Sequence, residues 1–334
     1  FWIYSHSMVF FIYMSFNFRY SRNHHYISIF KQMSKVIIVG TLAFDSIETP
    51  HGNAVNVLGG SAPYASLAAL TKDIKCAIIS IIGNDFTENY LDIFRSRYID
   101  ISEVQIDNSG KSFFWSGKYH ADMKTRDTLE TQVNVLSKFN PKIPKNFADA
   151  DVLVLGNLDP KVQLAVINKK LKKTRFIVLD TMNFWMNNSI NDLKEVISKV
   201  DLICINDEEV LQLSNCNDLQ QAVQKILKMG PEYLIMKNGE KGAILFSENS
   251  KFECTGYSVK KVIDPTGAGD SFAGALAGYL AKEKNINFSS ISSAIIYANG
   301  VASFCVEKFG VENMLEINKK ELEERINFIK NHNI

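Results

Sequence analysis

Along most of the chain, short apolar runs of strand length alternate with longer segments whose apolar positions recur at helical spacing. Residues 35–40 (KVIIVG) read as a buried strand ending in glycine; 41–45 continue it, and 47–58 read as a turn and hairpin around Pro50-His51-Gly52-Asn53. After Gly59-Gly60-Ser61-Ala62-Pro63 the pattern predicts a helix over 64–70, a strand over 75–82 and a helix ending at Arg97. Strands over 152–155, 175–179, 202–205, 233–236, 243–246 and 252–256 then alternate with helices over 160–171, 190–199, 208–213 and 219–229. The chain closes with helices over 271–281, 288–307 and 319–330. Such βαβ alternation predicts an α/β fold, with a mostly parallel sheet, right-handed crossovers and helices on both faces.

One stretch departs from this rhythm. Within 111–119, Phe113, Trp115, Gly117 and Tyr119 fall on one face of a strand and Phe114, Ser116 and Lys118 on the other. A strand rich in large aromatics outside the βαβ order predicts a small separate sheet. The polar stretch 122–131 reads as a return of the chain, and 140–150, with its two prolines, as a loop. Polar residues cluster where strands end: Asp45, Asn157, Asp159, Asp180 and Asn206. Ligands of open parallel sheets bind beyond the carboxyl ends of the strands, so this is where a site is expected.

Composition narrows the classes. With 334 residues, 46% hydrophobic and 22% charged, the chain is globular and long enough for one large α/β domain. A formal net charge of +1 provides no one-signed field for nucleic acid or a membrane surface. The five cysteines (76, 204, 216, 254, 305) form no C-x-x-C pair, which argues against a disulfide frame or zinc and for a reducing, cytoplasmic setting. The histidines have no metal-ligand spacing. Residues 1–32 are crowded with Phe, Tyr and Ser and follow no period; the apolar run 8–18 is too short to span a bilayer. The expectation is that 1–32 stand outside the fold as translated upstream sequence, with Met33 as the start, and a secretion signal is the alternative.

The chemistry concentrates in Asp264-Pro265-Thr266-Gly267-Ala268-Gly269-Asp270-Ser271-Phe272-Ala273-Gly274. Turn residues run here into a helix of small residues. A helix N-terminus has unpaired N–H groups and a partial positive charge, which suit a phosphate. Asp270 in the first turn adds a carboxylate beside that anion pocket. A base for a hydroxyl next to donors for a moving charge is what phosphoryl transfer to an alcohol requires. No Gly-Lys-Ser/Thr follows, so this is no Walker A loop, and the third small residue of a dinucleotide fingerprint is missing at Phe272. Gly40-Thr41-Leu42-Ala43 has no Gly-x-Gly either, which argues against an NAD-dependent oxidoreductase.

This undecapeptide resembles the C-terminal signature of the ribokinase-like carbohydrate and nucleoside kinases, the PfkB family. The resemblance covers essentially residue 33 to the C-terminus, and implies a Rossmann-like sheet between helical layers with a small β-lid over about 41–58 and 111–125. It makes Asp270 the base and the N–H groups of Gly267, Ala268 and Gly269 the anion hole. Asp45 with Gly59-Gly60 resembles the N-terminal signature that holds substrate hydroxyls, and a carboxylate suits a diol because it accepts two O–H bonds. The match departs at Tyr64, where sugar kinases of the family usually carry Asn, and at Ala43, where they carry Asn or Gly. The acceptor therefore stays open between a sugar and a nucleoside, with Phe113, Trp115 and Tyr119 stacking on a base, packing on a sugar face or simply forming the hydrophobic side of the lid.

Further matches place a nucleotide. Asn206 and Glu209 match an Asn-x-x-Glu element that holds Mg²⁺ through water; read without the family, they are an N-cap with a first-turn acid. Lys237, Gly239 and Gly242 match a hairpin along the nucleotide phosphates, and Asn299 matches a position lining the adenine pocket. Asp264 and Thr266 match part of a K⁺ site, near which Lys308 falls with its own charge, so a K⁺ requirement stays open. Arg126-Asp127, where the lid returns, reads as a surface ion pair, with contact to a phosphate or a substrate carboxylate as the alternative. The implied function is an ATP- and Mg²⁺-dependent sugar kinase. The alternatives are an adenosine-type nucleoside kinase and, in a different class, a catalytically silent nucleotide- or sugar-binding regulator. The partner is a small sugar or nucleoside, and the protein is a monomer or a homodimer through the lid.

Overall fold

The computed structural model describes residues 33–169 and 174–333. The segment 1–32, set apart by its sequence, and the last part of the helix expected over 160–171 lie outside the described residues.

The chain opens with β1 (Lys35–Val39), β2 (Ala43–Thr49), β3 (Gly52–Gly59), α1 (Ser61–Leu70), β4 (Lys75–Gly83), α2 (Glu88–Arg95), β5 (Asp100–Asp107), β6 (Phe113–Tyr119) and β7 (Arg126–Gln132). It continues through β8 (Val152–Leu155), α3 (Pro160–Asn168), β9 (Phe176–Leu179), α4 (Asn183–Asn188), α5 (Ile190–Ile197), β10 (Leu202–Asn206), α6 (Asp207–Ser214) and α7 (Leu219–Leu227). The last elements are β11 (Tyr233–Lys237), β12 (Ala243–Phe246), β13 (Lys251–Cys254), α8 (Ala268–Lys282), α9 (Phe288–Cys305) and α10 (Lys319–Asn331).

Among the described residues the strands form two sheets. The larger runs β13-β12-β11-β10-β9-β8-β1-β4-β5, parallel from β11 to β5 and antiparallel at β12 and β13. Alternate side chains of its strands feed two apolar layers. Val36 and Ile38 of β1 pack with α1, α8 and α9; Ile37 and Val39 pack with α3, α5, α6 and α7. This is the expected three-layer α/β architecture. The chain leaves β1 towards β4 on one side and returns to β8 on the other, so a crevice opens at the carboxyl end of β1. Helix α9 is long and apolar enough to cross a membrane, but it packs on α8 and α10.

The smaller sheet has the order β3-β2-β6-β7. Register aligns Asp45 with Trp115 and Ile47 with Gly117, and Tyr119 with Arg126, so these residues share one face. Phe44 and Phe114 occupy the other. Two strands went unread in the sequence. β5 (DISEVQID) is a half-exposed edge strand, and β7 (RDTLETQ) is exposed for nearly its whole length. Both carry the charges that keep a sheet edge soluble and so lack an apolar period. The lid therefore extends through residue 132, beyond the boundary at 125, and 122–131 is a turn followed by a strand rather than a simple return.

Helices α1 and α8 approach so closely that side chains have no room between them. A Cβ on Gly274 would run into the carbonyl of Ala65, and one on Gly278 into that of Ala69. This seam sets the start of α1, after Gly59-Gly60, beside the start of α8, after Gly267.

Candidate active site

The turn before α8 is tied from behind. Asp264 is fully buried; its Oδ1 accepts from the Thr266 N–H at 2.9 Å and its Oδ2 from the Gly310 N–H at 3.1 Å. Burial raises its pKa above the usual carboxylate range, against the pull of those donors. Gly267 caps α8 in the left-handed region at φ 77°, and any Cβ there would strike the ring of Tyr64. Glycine is required on both counts. The Ala268 N–H donates to the Pro265 carbonyl at 3.3 Å, closing the turn. Among the described residues the Gly267 and Gly269 N–H groups have no backbone acceptor. Of the three amides expected to form the anion hole, Gly267 and Gly269 are thus the two left open.

Asp270 follows, half-buried in the first turn of α8. Burial pushes its pKa up to about 7, the carboxylates of Asp180 and Asp45 push the same way, and Lys237 opposes them. A base is most effective when its pKa lies near the working pH, so this environment suits proton abstraction at neutrality.

Asp45, in β2, forms the opposite wall. It is 5% exposed, and its Oδ2 faces the Gly60 N–H at 3.4 Å. A Cβ on Gly59 would overlap this carboxylate, and Gly60 has φ 86° with the Thr41 carbonyl beside it. Burial raises the Asp45 pKa to about 7; the Gly60 N–H lowers it and Asp264 adds to the rise. The expected trio of Asp45, Gly59 and Gly60 is thus one packed unit. Tyr64 stands apart from it. Its side chain is 1% exposed, its ring lies under Gly267 and its hydroxyl has no hydrogen-bond partner among the described residues. Its observed part is to floor the anion loop, not to line an open pocket.

The remaining residues arrive on the ends of β9, β10 and β11. Asn206 and Glu209 close a capping box: Asn206 Oδ1 accepts from the Glu209 N–H at 2.8 Å and Glu209 Oε2 from the Asn206 N–H at 2.9 Å. The cap reading is realised. It leaves Glu209 Oε1 without a partner among the described residues, on a side chain whose pKa is raised to about 7, chiefly by burial. Gly239 and Gly242 shape the β11–β12 turn, closed by the Asn238 N–H donating to the Gly242 carbonyl at 2.8 Å. Lys237 reaches inward to Asp180 Oδ1 at 3.0 Å. Asn299 is buried, and its Nδ2 donates to Cys254 Sγ at 3.2 Å and to the Thr255 carbonyl at 3.4 Å, so it fastens α9 to the chain after β13. The Thr266 carbonyl accepts from Cys305 Sγ at 3.3 Å, and Lys308 is exposed. Asp264 and Thr266 thus have structural duties of their own.

The lid contributes three features. The Thr266 hydroxyl donates to Tyr119 Oη at 3.2 Å, joining the lid to the anion loop. Trp115 lies across Gly117, where a Cβ would overlap its ring, and its Nε1 donates to Thr128 Oγ1 at 3.3 Å. The indole is thus fixed on the face of the smaller sheet that also carries Asp45. Arg126 does not pair with Asp127 as expected: Asp127 pairs with His120 at 2.8 Å, and Arg126 faces Tyr119 and Glu209. The sequence places Asp180 at a strand end, in a stretch read as part of the cleft floor; its bond to Lys237, 57 residues away, has no local signal.

Comparison with known proteins gives a family. The model described as pfkB family carbohydrate kinase matches residues 33–318. The cytidine kinase of Thermococcus kodakarensis is 29% identical over 253 residues, covering 74% of this chain and 89% of the relative. Fructokinase-2 of Oryza sativa subsp. japonica is 34% identical over 116 residues, covering 34% of each chain. The solved nucleoside kinase of Methanocaldococcus jannaschii has the same fold, with a TM-score of 0.72 at 21% identity, covering 89% of this chain and 99% of the other.

Proposed function

Because the chain belongs to the pfkB family of carbohydrate kinases, phosphotransferases acting on hydroxyl groups, we propose that it transfers the γ-phosphoryl group of ATP to the primary hydroxyl of a nucleoside. The observation that carries the choice of acceptor is Trp115, fixed by Gly117 and Thr128 on the lid face that also carries Asp45. Asp45 and the Gly60 N–H suit a ribose diol, and the indole plate suits the base attached to that ribose. Stacking of a base on an aromatic side chain contributes about 1–3 kcal/mol. A bare sugar has no π face and would meet the indole only through its C–H bonds. The cytidine kinase relative supports the same reading.

In this scheme Asp270 takes the proton of the acceptor hydroxyl as its oxygen forms a bond to the γ-phosphorus. The bond from that phosphorus to the bridging oxygen breaks, and ADP leaves. The Gly267 and Gly269 N–H groups hold the charge that develops on the transferred group, and α8 adds its positive N-terminus. Positioning and charge stabilisation supply most of the rate, since no covalent intermediate is needed. Asn206 and Glu209 fit a divalent ion held through water, because the capping box uses only one of the two Glu209 carboxylate oxygens. Mg²⁺ would supply charge neutralisation on the phosphates there. Gly239 and Gly242 flank the polyphosphate and Asn299 supports the adenine side.

A sugar acceptor remains the second reading, because Asp45 serves the diol of a free sugar equally well and fructokinases are among the relatives. ADP release with cytidine, adenosine, inosine, ribose, fructose and 2-keto-3-deoxygluconate separates the two. The expected outcome is highest kcat/KM on a nucleoside, reduced about 5- to 150-fold by Trp115→Ala, the range that one stacked base contributes. Ribose or fructose outperforming every nucleoside, with no effect of Trp115→Ala, would overturn the choice. ATP binding without turnover on any alcohol would favour the silent regulator.

A further inference from the structure

Lys237, at the end of β11, is set against the first turn of α8 and paired with Asp180. Its side chain is 16% exposed and that of its partner Asp180 is 8% exposed. The ammonium lies under the first turn of α8: a Cβ on Gly269 would stand 2.9 Å from Nζ and 3.8 Å from Cε, with no other heavy atom within 4 Å. The ammonium is therefore the end of Lys237 that lies against the anion loop.

A cation is the unfavourable sign at a helix N-terminus, because the helix is already positive there. A lysine buried without a partner also tends to lose its proton. Asp180 counters both effects. Burial works against the charge on Lys237, yet Asp180, with Cys204 of β10 and Glu209 of α6 on its other sides, leaves its pKa above the ordinary lysine value. Asp180 Oδ1 is itself fixed by the Thr181 N–H at 3.1 Å. One residue beyond Gly269, Asp270 is faced by Asp180 at the end of β9, Lys237 at the end of β11 and Asp45 in β2.

We propose that Lys237 and Asp180 form a charge unit behind the anion loop, in which Lys237 is a fixed cation acting across Gly269 on the transferred phosphoryl group and Asp180 is a positioning residue that holds it there. The inference rests on the kinase reading above. With no anion bound, the ammonium and the helix N-terminus repel. Phosphoryl oxygens at the Gly267 and Gly269 amides meet both positive fields at once. The gain is greatest where the transferred group carries most charge, so the unit favours the transition state over bound ATP.

The test uses the full chain, its Lys237→Met and Asp180→Asn variants and the double variant. Lys237→Met is expected to lower kcat about 10²-fold, as loss of one anion-hole group does, with the acceptor KM unchanged. The acid limb of kcat/KM is expected to move up in Lys237→Met and down in Asp180→Asn, each by about one pH unit, as one nearby charge is removed. A purely structural pair would not shift the two limbs in opposite directions. Binding of ADP with aluminium fluoride, a mimic of the phosphoryl group in flight, gives a readout independent of turnover. It is expected to weaken at least tenfold in Lys237→Met. Should that variant fail to fold, the double variant, with both buried charges removed, keeps the question answerable. Wild-type affinity for ADP with aluminium fluoride in either variant, or limbs moving together, overturns the proposal. Wild-type protein that binds this mimic but phosphorylates no alcohol overturns the kinase reading alone, and the affinities still decide the charge unit.

Discussion

The anion loop and the lid meet through the hydrogen bond from Thr266 to Tyr119, yet they are held in place by different physics. On the loop side, Asp264 is fully buried and both its oxygens accept backbone N–H groups. Gly267 is pinned by its φ and by the Tyr64 ring, and Asp270 starts a helix that touches its neighbour backbone to backbone. On the lid side, β7 is almost entirely exposed and the ion pairs Lys118–Glu48 and Lys124–Glu240 lie open to solvent. In the reaction proposed above, the chemistry falls to the more tightly held part, and the selection of what enters falls to a part whose contacts are weak and replaceable. Changes in the first should therefore act on kcat, and changes in the second on which molecule is bound.

The sharpest way to break this contrast is Asp270→Asn. Turnover, measured as ADP release, is expected to fall roughly 10²–10⁴-fold, the usual contribution of a general base. The same variant should melt at a higher temperature near neutral pH, because it removes a buried charge whose ionisation the fold resists. Activity near wild type would show that the proton goes elsewhere. Next comes Gly267→Ala, which forces a side chain into the left-handed region and into the Tyr64 ring; it should cost about 1–3 kcal/mol and most of the activity. Gly269→Ala makes the comparison. Its added Cβ meets only the end of the Lys237 side chain, with no ring, backbone or left-handed φ in the way, so its loss in melting temperature should be clearly smaller. Equal losses would mean that the loop is less rigidly specified than its contacts suggest.

A third test uses pH. Asp45 and Asp270 both stand near 7 in the folded protein, against about 4 unfolded. The folded state then holds protons that the unfolded state has released, so stability is full below about pH 4 and declines as pH rises through 7. The melting temperature of the ligand-free protein should fall between pH 5 and about 7.5, while kcat/KM rises over the same interval as Asp270 ionises. Parallel trends would contradict the assignment. The smallest effect belongs to Lys124→Ala. An exposed pair at 3.7 Å should contribute less than about 1 kcal/mol, visible as a slight rise in acceptor KM with kcat unchanged.

Much of this could be read along the chain, and the reasons for the rest are physical. Buried parallel strands announce themselves as continuous apolar runs, so β1, β4 and β8 to β11 were legible with their order of appearance. β5 and β7 were not, because an exposed edge strand alternates polar with polar. At the site, the 264–274 motif is local, and Gly267 and Asp270 could be placed by it. The pairing of Asp180 with Lys237 could not, because nothing between residues 180 and 237 indicates that two strand ends two places apart in the sheet point at one helix. Tyr64 marks the limit of a positional match. Its place in the sequence puts it with the substrate residues, whereas its ring is turned under the loop.

The glycine seam between α1 and α8 has a further consequence. Where two elements touch through side chains, their spacing depends on rotamers, which exchange thermally and change with each substitution. Here Gly274 and Gly278 place α8 directly on the carbonyls of Ala65 and Ala69. Backbone has no rotamers to sample, so the distance between the Gly59-Gly60 turn and the Gly267 turn is set by covalent geometry and van der Waals contact alone. Heating below the melting point should leave that separation almost unchanged while the lid loosens. Sequence drift elsewhere in the core should act on it less than on spacings set by side chains.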